Sequence, residues 1–268
     1  MMFLVLLLSG CLTGVTTVLF GFGGGFMIVP LLLWLLSGPG SAPLAEDMGM
    51  HVAVATSSAV MVVNAGVATF AQHRAGTLRT DALWPLTAFI AIGAALGASV
   101  AGLVPGEALR WAFVVYLAVT LLNAVLRPGF LATARPARPL GRATTIVVGP
   151  AMGAVAALLG VGGSVMTVPL FRRHGWSMTD SAGLANPLGL PVAVAASITY
   201  VVAGGASASV LGAGHLGYVD LSAFVGLAIG SVLGIVLTRR FVGRMPDHVH
   251  ARAYLVLLAV VLVATIVV

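Results

Sequence analysis

The 268-residue chain is 60% apolar and only 7% charged, against about a quarter charged in soluble domains. So few charges cannot cover a water-soluble fold, whereas a bilayer-embedded one needs very few. The net charge of +6 does not point to nucleic acid, because all thirteen basic residues are Arg and twelve of them lie between apolar runs, with no basic face interleaved with aromatics.

In chain order, apolar segments fall at 2–36, 48–70, 82–104, 109–126, 143–171, 181–203, 218–238 and 253–268. They do not alternate as barrel strands would, and lipid leaves the backbone no partner outside its own helix. The expected fold is therefore an all-α integral membrane protein of about eight transmembrane segments. In the first segment, Leu8-Ser9-Gly10-Cys11 reads like a lipoprotein cleavage box. However, residues 1–3 carry no side-chain charge and the apolar run continues to Leu36, so the region is read as mature protein. Cys11 is the lone cysteine and forms no internal disulfide.

The chain repeats itself. Residues 14–31 read GVTTVLFGFGGGFMIVPL and residues 153–170 read GAVAALLGVGGSVMTVPL, with nine of eighteen positions identical at an offset of 139. The shared frame is Gly21/Gly160, Gly23/Gly162, Gly24/Gly163 and Pro30/Pro169. The expected organisation is a first membrane repeat over 1–130, a cytoplasmic Arg/Pro-rich linker over 131–142, and a second repeat over 143–268. The third helix of each half carries small residues four apart, Gly93/Gly97 and Gly226/Gly230/Gly234, a spacing that lets helices pack closely.

The arginines bear on orientation. If every segment spans, Arg74, Arg79, Arg127, Arg135, Arg138 and Arg142 fall on one side, and Arg172, Arg173, Arg239, Arg240, Arg244 and Arg252 on the other. That gives no bias. If 143–171 instead enters and returns on one side, twelve of the thirteen become cytoplasmic. Arg110 alone stays outside with Glu107, Glu46 and Asp47. By symmetry 2–36 is re-entrant from the other face, and the halves form inverted-topology repeats with a Gly-broken first element in each.

The breaks are the first candidates for chemistry. Gly21, Gly23, Gly24 and Gly25, and Gly160, Gly162, Gly163 and Ser164, interrupt helix continuity. Pro30 and Pro169 each remove an N–H from the helix that follows. A helix restarting after such a break aims unpaired N–H groups and a partial positive charge at the gap, which binds anions. Two such elements meeting near the bilayer midplane form the site pattern of secondary transporters. The packing alternative, glycines serving only close helix contact, is outweighed by the duplication together with its prolines. Thr56 and Ser57 in the first half, and Asn186 beside Pro187 in the second, are further substrate-binding candidates. Ser58 and Asn64 are read as holding neighbouring helices. His51 and His73 lie near the two ends of one segment and read as interface residues. No carboxylate lies within a span, no metal-ligand spacing occurs, and HExxH, Walker A and GxSxG motifs are absent. Neither an enzyme nor a cofactor is expected.

On FGFGGGFMIVPLL and LGVGGSVMTVPLF the sequence resembles the sulfite exporter TauE/SafE family of membrane transporters. The resemblance extends over nearly the whole chain. It departs at Ser164, where a third glycine is usual, and at Asn186-Pro187, where a Thr-Ser pair is common. It implies export of small sulfur-containing oxyanions, such as sulfite or organosulfonates, across the cytoplasmic membrane. The expected partners are the anion, the bilayer and a coupling proton or sodium ion, with homo-oligomerisation open. The readings kept beside it are a passive small-anion channel and a non-transporting membrane scaffold.

Overall fold

The computed structural model describes residues 2–36, 46–126, 130–131, 136–162, 164–207, 211–212 and 214–267. Gly163, Arg127, Arg135 and part of the expected 131–142 linker lie outside the described residues. The helices are α1 (Met2–Phe20), α2 (Gly25–Leu36), α3 (Glu46–Arg74), the short α4 (Thr80–Leu83), α5 (Leu86–Ala101), α6 (Gly106–Leu126), α7 (Arg142–Leu159), α8 (Ser164–Arg173), α9 (Met178–Ala203), α10 (Leu221–Thr238) and α11 (Asp247–Val267). A two-residue-per-strand hairpin, β1 (His215–Leu216) with β2 (Val219–Asp220), precedes α10.

Among the described residues, seven helices are long and apolar enough to cross a membrane: α1, α6, α7, α9, α11, Met48–Arg74 of α3, and Leu221–Phe241, which covers α10. The chain is therefore an all-α, multi-pass membrane protein. α2 and α8 have 12 and 10 residues, about 18 and 15 Å at 1.5 Å per residue, roughly half of a hydrocarbon core. The single apolar segments expected at 2–36 and 143–171 are each two helices divided at the glycines. The segment expected from residue 82 begins its long helix only at Leu86, after Pro85.

Local signals set the helix starts. Ser177 caps α9 by accepting the Asp180 N–H at 3.0 Å, and Asp220 caps α10 through the N–H groups of Ser222 and Ala223 at 2.9 and 3.0 Å.

Small residues dictate the tightest packing. Gly10 and Gly14 of α1 face the backbone of α10 at Leu227 and Ser231, while Gly230 and Gly234 of α10 face Leu7 and Cys11. No side chain fits at any of the four. Numbers rise together on both helices, so α1 and α10 are parallel. Gly93 and Gly97 of α5 meet Pro150 and Ala154 of α7, and Gly153 meets Ile90, so α5 and α7 are parallel as well. Each motif-bearing helix thus packs on a helix from the other half of the chain. α3 and α9 pack against each other between these pairs.

Contacts at the helix ends fix directions. The Arg138 N–H donates to the His174 carbonyl at 2.8 Å, and Trp176 Nε1 donates back to the Arg138 carbonyl at 3.3 Å. The chain therefore enters α7 and leaves α8 at one place. Arg172 reaches Asp247 of α11 at 2.8 Å, Arg173 reaches Asn123 of α6 at 2.6 Å, Arg79 stacks on Trp176, and Arg74 shares a cavity with Arg239 and Arg240. Every described arginine except Arg110 lies at this end of the bundle; Arg110 donates to the Thr265 carbonyl at the far end of α11. The α1 C-terminus also points to the arginine end, where His250 Nε2 donates to the Leu19 carbonyl at 2.6 Å. Since α7 starts from that end, α1 and α7 run in opposite directions.

Candidate functional site: two glycine breaks in contact

The two breaks meet. Gly21, Gly23 and Gly24 have φ of 72°, 61° and 88°, and Gly160 and Gly162 have 64° and 65°. These left-handed conformations cost other residues about 1–2 kcal/mol each, and they let the chain turn out of one helix into the next. Across the interface, a Cβ at Gly25 would lie 2.5 Å from the Gly160 carbonyl oxygen. Only a residue without a side chain allows the two elements this approach.

Each break is pinned by the central helices. Asn64 of α3 donates from Nδ2 to the Gly23 carbonyl at 3.1 Å, while its Oδ1 accepts from the Ser231 hydroxyl of α10. Asn186 of α9 donates from Nδ2 to the Thr17 carbonyl at 3.1 Å, holding the last turn of α1. The single Ser57 hydroxyl hydrogen of α3 is shared between the Val54 carbonyl at 2.9 Å and the Gly160 carbonyl at 3.2 Å. Ser58 turns back to the Val54 carbonyl at 2.8 Å. Thr56 is directed elsewhere: its hydroxyl accepts the Asp220 N–H at 3.0 Å, at the start of α10.

Gly21, Gly23, Gly162, Ser164 and Asn186 line one narrow space together with Phe22, Met61, Ala65, Ala185 and Gly189, and no water molecule fits in it. The plug is Met61 of α3. Its Cγ lies 2.8 Å from where a Gly23 Cβ would stand, and its Sδ 2.5 Å from that of Gly162. Nothing in the sequence marked this methionine.

Two polar atoms at this space have no hydrogen-bond partner: Ser164 Oγ, at the first residue of α8, and Asn186 Oδ1. Both residues are 1% exposed, and an unsatisfied buried polar atom costs about 1–3 kcal/mol. Thr167, three residues along α8 from Ser164, is also fully buried with an unpartnered hydroxyl. The repeat alignment holds a signal for it, since Thr167 stands opposite Ile28. Pro30 and Pro169 sit buried inside α2 and α8, and Pro187 inside α9. Among the described residues no group of three His, Cys, Asp or Glu could hold a metal ion.

A wider cavity of about 720 Å³ opens at the arginine end. Arg74, Arg239 and Arg240 line it, and its inner wall includes Leu19, Ala68 and Gly183. Ala68 is three residues along α3 from Ala65, and Gly183 three along α9 from Asn186. Each inner-wall residue is thus about one helical turn from the closed space. No salt bridge or hydrogen bond to a carboxylate engages these three arginines among the described residues. Arg74 lies over Phe70 and Arg240 over Phe241, 5.8 and 5.0 Å from the ring centroids.

Paired half-length helices, left-handed breaks in contact and a basic cavity leading towards them define a membrane transporter. The chain belongs to the sulfite exporter TauE/SafE family, whose model matches residues 6–265. It is also 25% identical over 265 residues to a "Probable membrane transporter protein" of Haemophilus influenzae, covering 96% of each chain. No solved structure matches it.

Proposed function

We propose that this transporter is a secondary exporter of small sulfur-containing oxyanions such as sulfite or organosulfonates. The anion binds between the two Gly-broken elements near the bilayer midplane. Residues 1–130 and 143–268 act as inverted-topology repeats joined by a cytoplasmic linker at 131–142. The candidate site comprises Gly21, Gly23, Gly24, Gly25, Ser57, Gly160, Gly162, Gly163, Ser164 and Asn186. Thr56 is left out because its hydroxyl serves the α10 start.

The observation that carries this reading is the contact of the two breaks beside the unpartnered Ser164 hydroxyl. That hydroxyl sits where the α8 N-terminus adds its free N–H groups and partial positive charge. Together they are anion donors held away from water, where each is worth more than in solution. Supporting it, the uncompensated arginines of the wider cavity raise the local anion concentration. The positive-inside bias puts that open end in the cytoplasm, which suits loading for export.

The test is flux of sulfite, thiosulfate, sulfonates and size-matched carboxylates into proteoliposomes under imposed proton or sodium gradients. Saturable sulfur-oxyanion flux driven by one gradient is expected. Weakly saturating flux without countertransport would make the protein a channel. No binding and no flux of any anion would make it a scaffold. A preference for carboxylates would remove the substrate assignment.

A further inference from the structure

The orphaned Asn186 oxygen says more about the substrate, on the reading that this space is the anion site. The Nδ2 group already donates to the Thr17 carbonyl. A carbonyl can only accept, so the amide orientation is fixed and what remains for a ligand is Oδ1, an acceptor. An acceptor repels an anion unless the anion brings a hydrogen of its own. Opposite in character is the Ser164 hydroxyl at the start of α8, which can donate. The same closed space thus offers a donor group and an acceptor, both buried and both unpartnered.

We infer that Asn186 selects anions that carry an O–H or N–H donor beside the oxyanion head. The class comprises hydrogensulfite, hydroxysulfonates and aminosulfonates, in preference to fully deprotonated or purely alkyl species. Bound, such an anion gives its oxygens to Ser164 and the α8 N-terminus and its own hydrogen to Asn186 Oδ1. Both orphaned atoms are then satisfied at once. An alkylsulfonate leaves Oδ1 buried without a partner, and sites built to hydrogen-bond a substrate hydroxyl reject analogues lacking it strongly.

The experiment uses an isosteric pair, 2-hydroxyethanesulfonate against 1-propanesulfonate, which differ by hydroxyl for methyl at equal charge. In proteoliposomes of the full chain, kcat/KM is expected to favour the hydroxysulfonate by at least about tenfold. In Asn186→Leu the ratio should fall to about one, mainly through loss of the hydroxysulfonate. Equal kcat/KM for the pair in the wild-type protein overturns the inference while leaving sulfonate transport standing. So does a preference that survives Asn186→Leu. Absence of flux for both sulfonates and for sulfite overturns the transport reading itself, and this one with it. Because the wild-type ratio is informative alone, an Asn186→Leu protein that fails to fold does not remove the test.

Discussion

The two glycine breaks share a sequence frame but not an environment. The first is walled by aromatics: Phe22 packs tilted against Phe26 and stacks on Tyr254, with ring centroids 4.1 and 4.9 Å apart. Its carbonyls are held by the amides of Asn64 and Asn186 at 3.1 Å each. The second has Val161 in place of Phe22, is held by the Ser57 hydroxyl at 3.2 Å, and carries unpartnered hydroxyls at Ser164 and Thr167. One copy spends its polar partners on holding the backbone, and the other keeps them spare. On the proposed function, the duplicated motif divides its labour, with rigidity in the first copy and ligand donors in the second.

The most damaging way to test this is to force the breaks apart. Gly25→Leu drives a side chain into the Gly160 carbonyl, and Gly160→Val adds a side chain at φ 64° against Val54. Flux per monodisperse protein should fall by about 100-fold in either, as for displacement of a positioned group by an ångström. The gentler Gly160→Ala should retain the fold and lose flux to a smaller degree. Retained flux in all three would take the contact between the breaks out of the mechanism.

Met61 touches both breaks and is the next lever. Met61→Ala should lower stability by about 2–5 kcal/mol, as other core truncations do. It also empties the space between Gly23 and Gly162. Counterflow should become leaky, with uncoupled efflux rising relative to gradient-driven uptake. A variant that is destabilised but as tightly coupled as wild type would reduce Met61 to packing.

The pinning residues separate the copies directly. Asn64→Leu takes the side-chain donor from the Gly23 carbonyl and breaks the link to Ser231, whose hydroxyl keeps only the Ala228 carbonyl at 2.9 Å, so thermal unfolding in detergent should report a loss of about 2–3 kcal/mol. Ser57→Ala removes one bond to Gly160, worth about 1 kcal/mol. Equal losses would erase the proposed division between a rigid and a ligand-bearing copy.

Much of this architecture was legible from residues alone. Helicity and membrane class followed from a charge-poor composition that leaves lipid-exposed backbone one way to bond. Both breaks fell at the repeated glycines, because positive φ and close approach demand glycine and leave a trace in sequence. Gly93/Gly97 and Gly230/Gly234 marked tight crossings for the same reason, though nothing said that each would meet the other half of the chain. The arginines anticipated a common end, and the Arg138–His174 pairing gives that end a geometry. Two features were not legible. Thr56 and Ser57 are neighbours, and successive helix positions point about 100° apart, so one faces the α10 start and the other Gly160. Met61 carries no chemical label at all, because filling a gap needs only shape, and an apolar sequence offers many residues of that shape.

The smallest expected effect is the most informative about the division of labour. Ser164→Gly gives the second break the three-glycine form of the first, at the start of α8 where the backbone N–H groups remain in place. The hydroxyl it removes has no partner in the protein, so no bond is lost on mutation and stability should shift by less than about 1 kcal/mol, from the helix-start glycine. If that hydroxyl donates to the anion, one hydrogen bond of about 0.5–1.5 kcal/mol disappears from the complex. KM for sulfite should then rise about two- to tenfold while the limiting rate stays near wild type, the pattern of an interaction made equally in ground and transition states. Ser164→Ala removes the same donor without adding backbone freedom and should give the same KM. If KM rises only in Ser164→Gly, helix geometry sets affinity, not the hydroxyl. If neither variant moves KM, the second copy holds no spare donor, and the two breaks differ only in what packs around them.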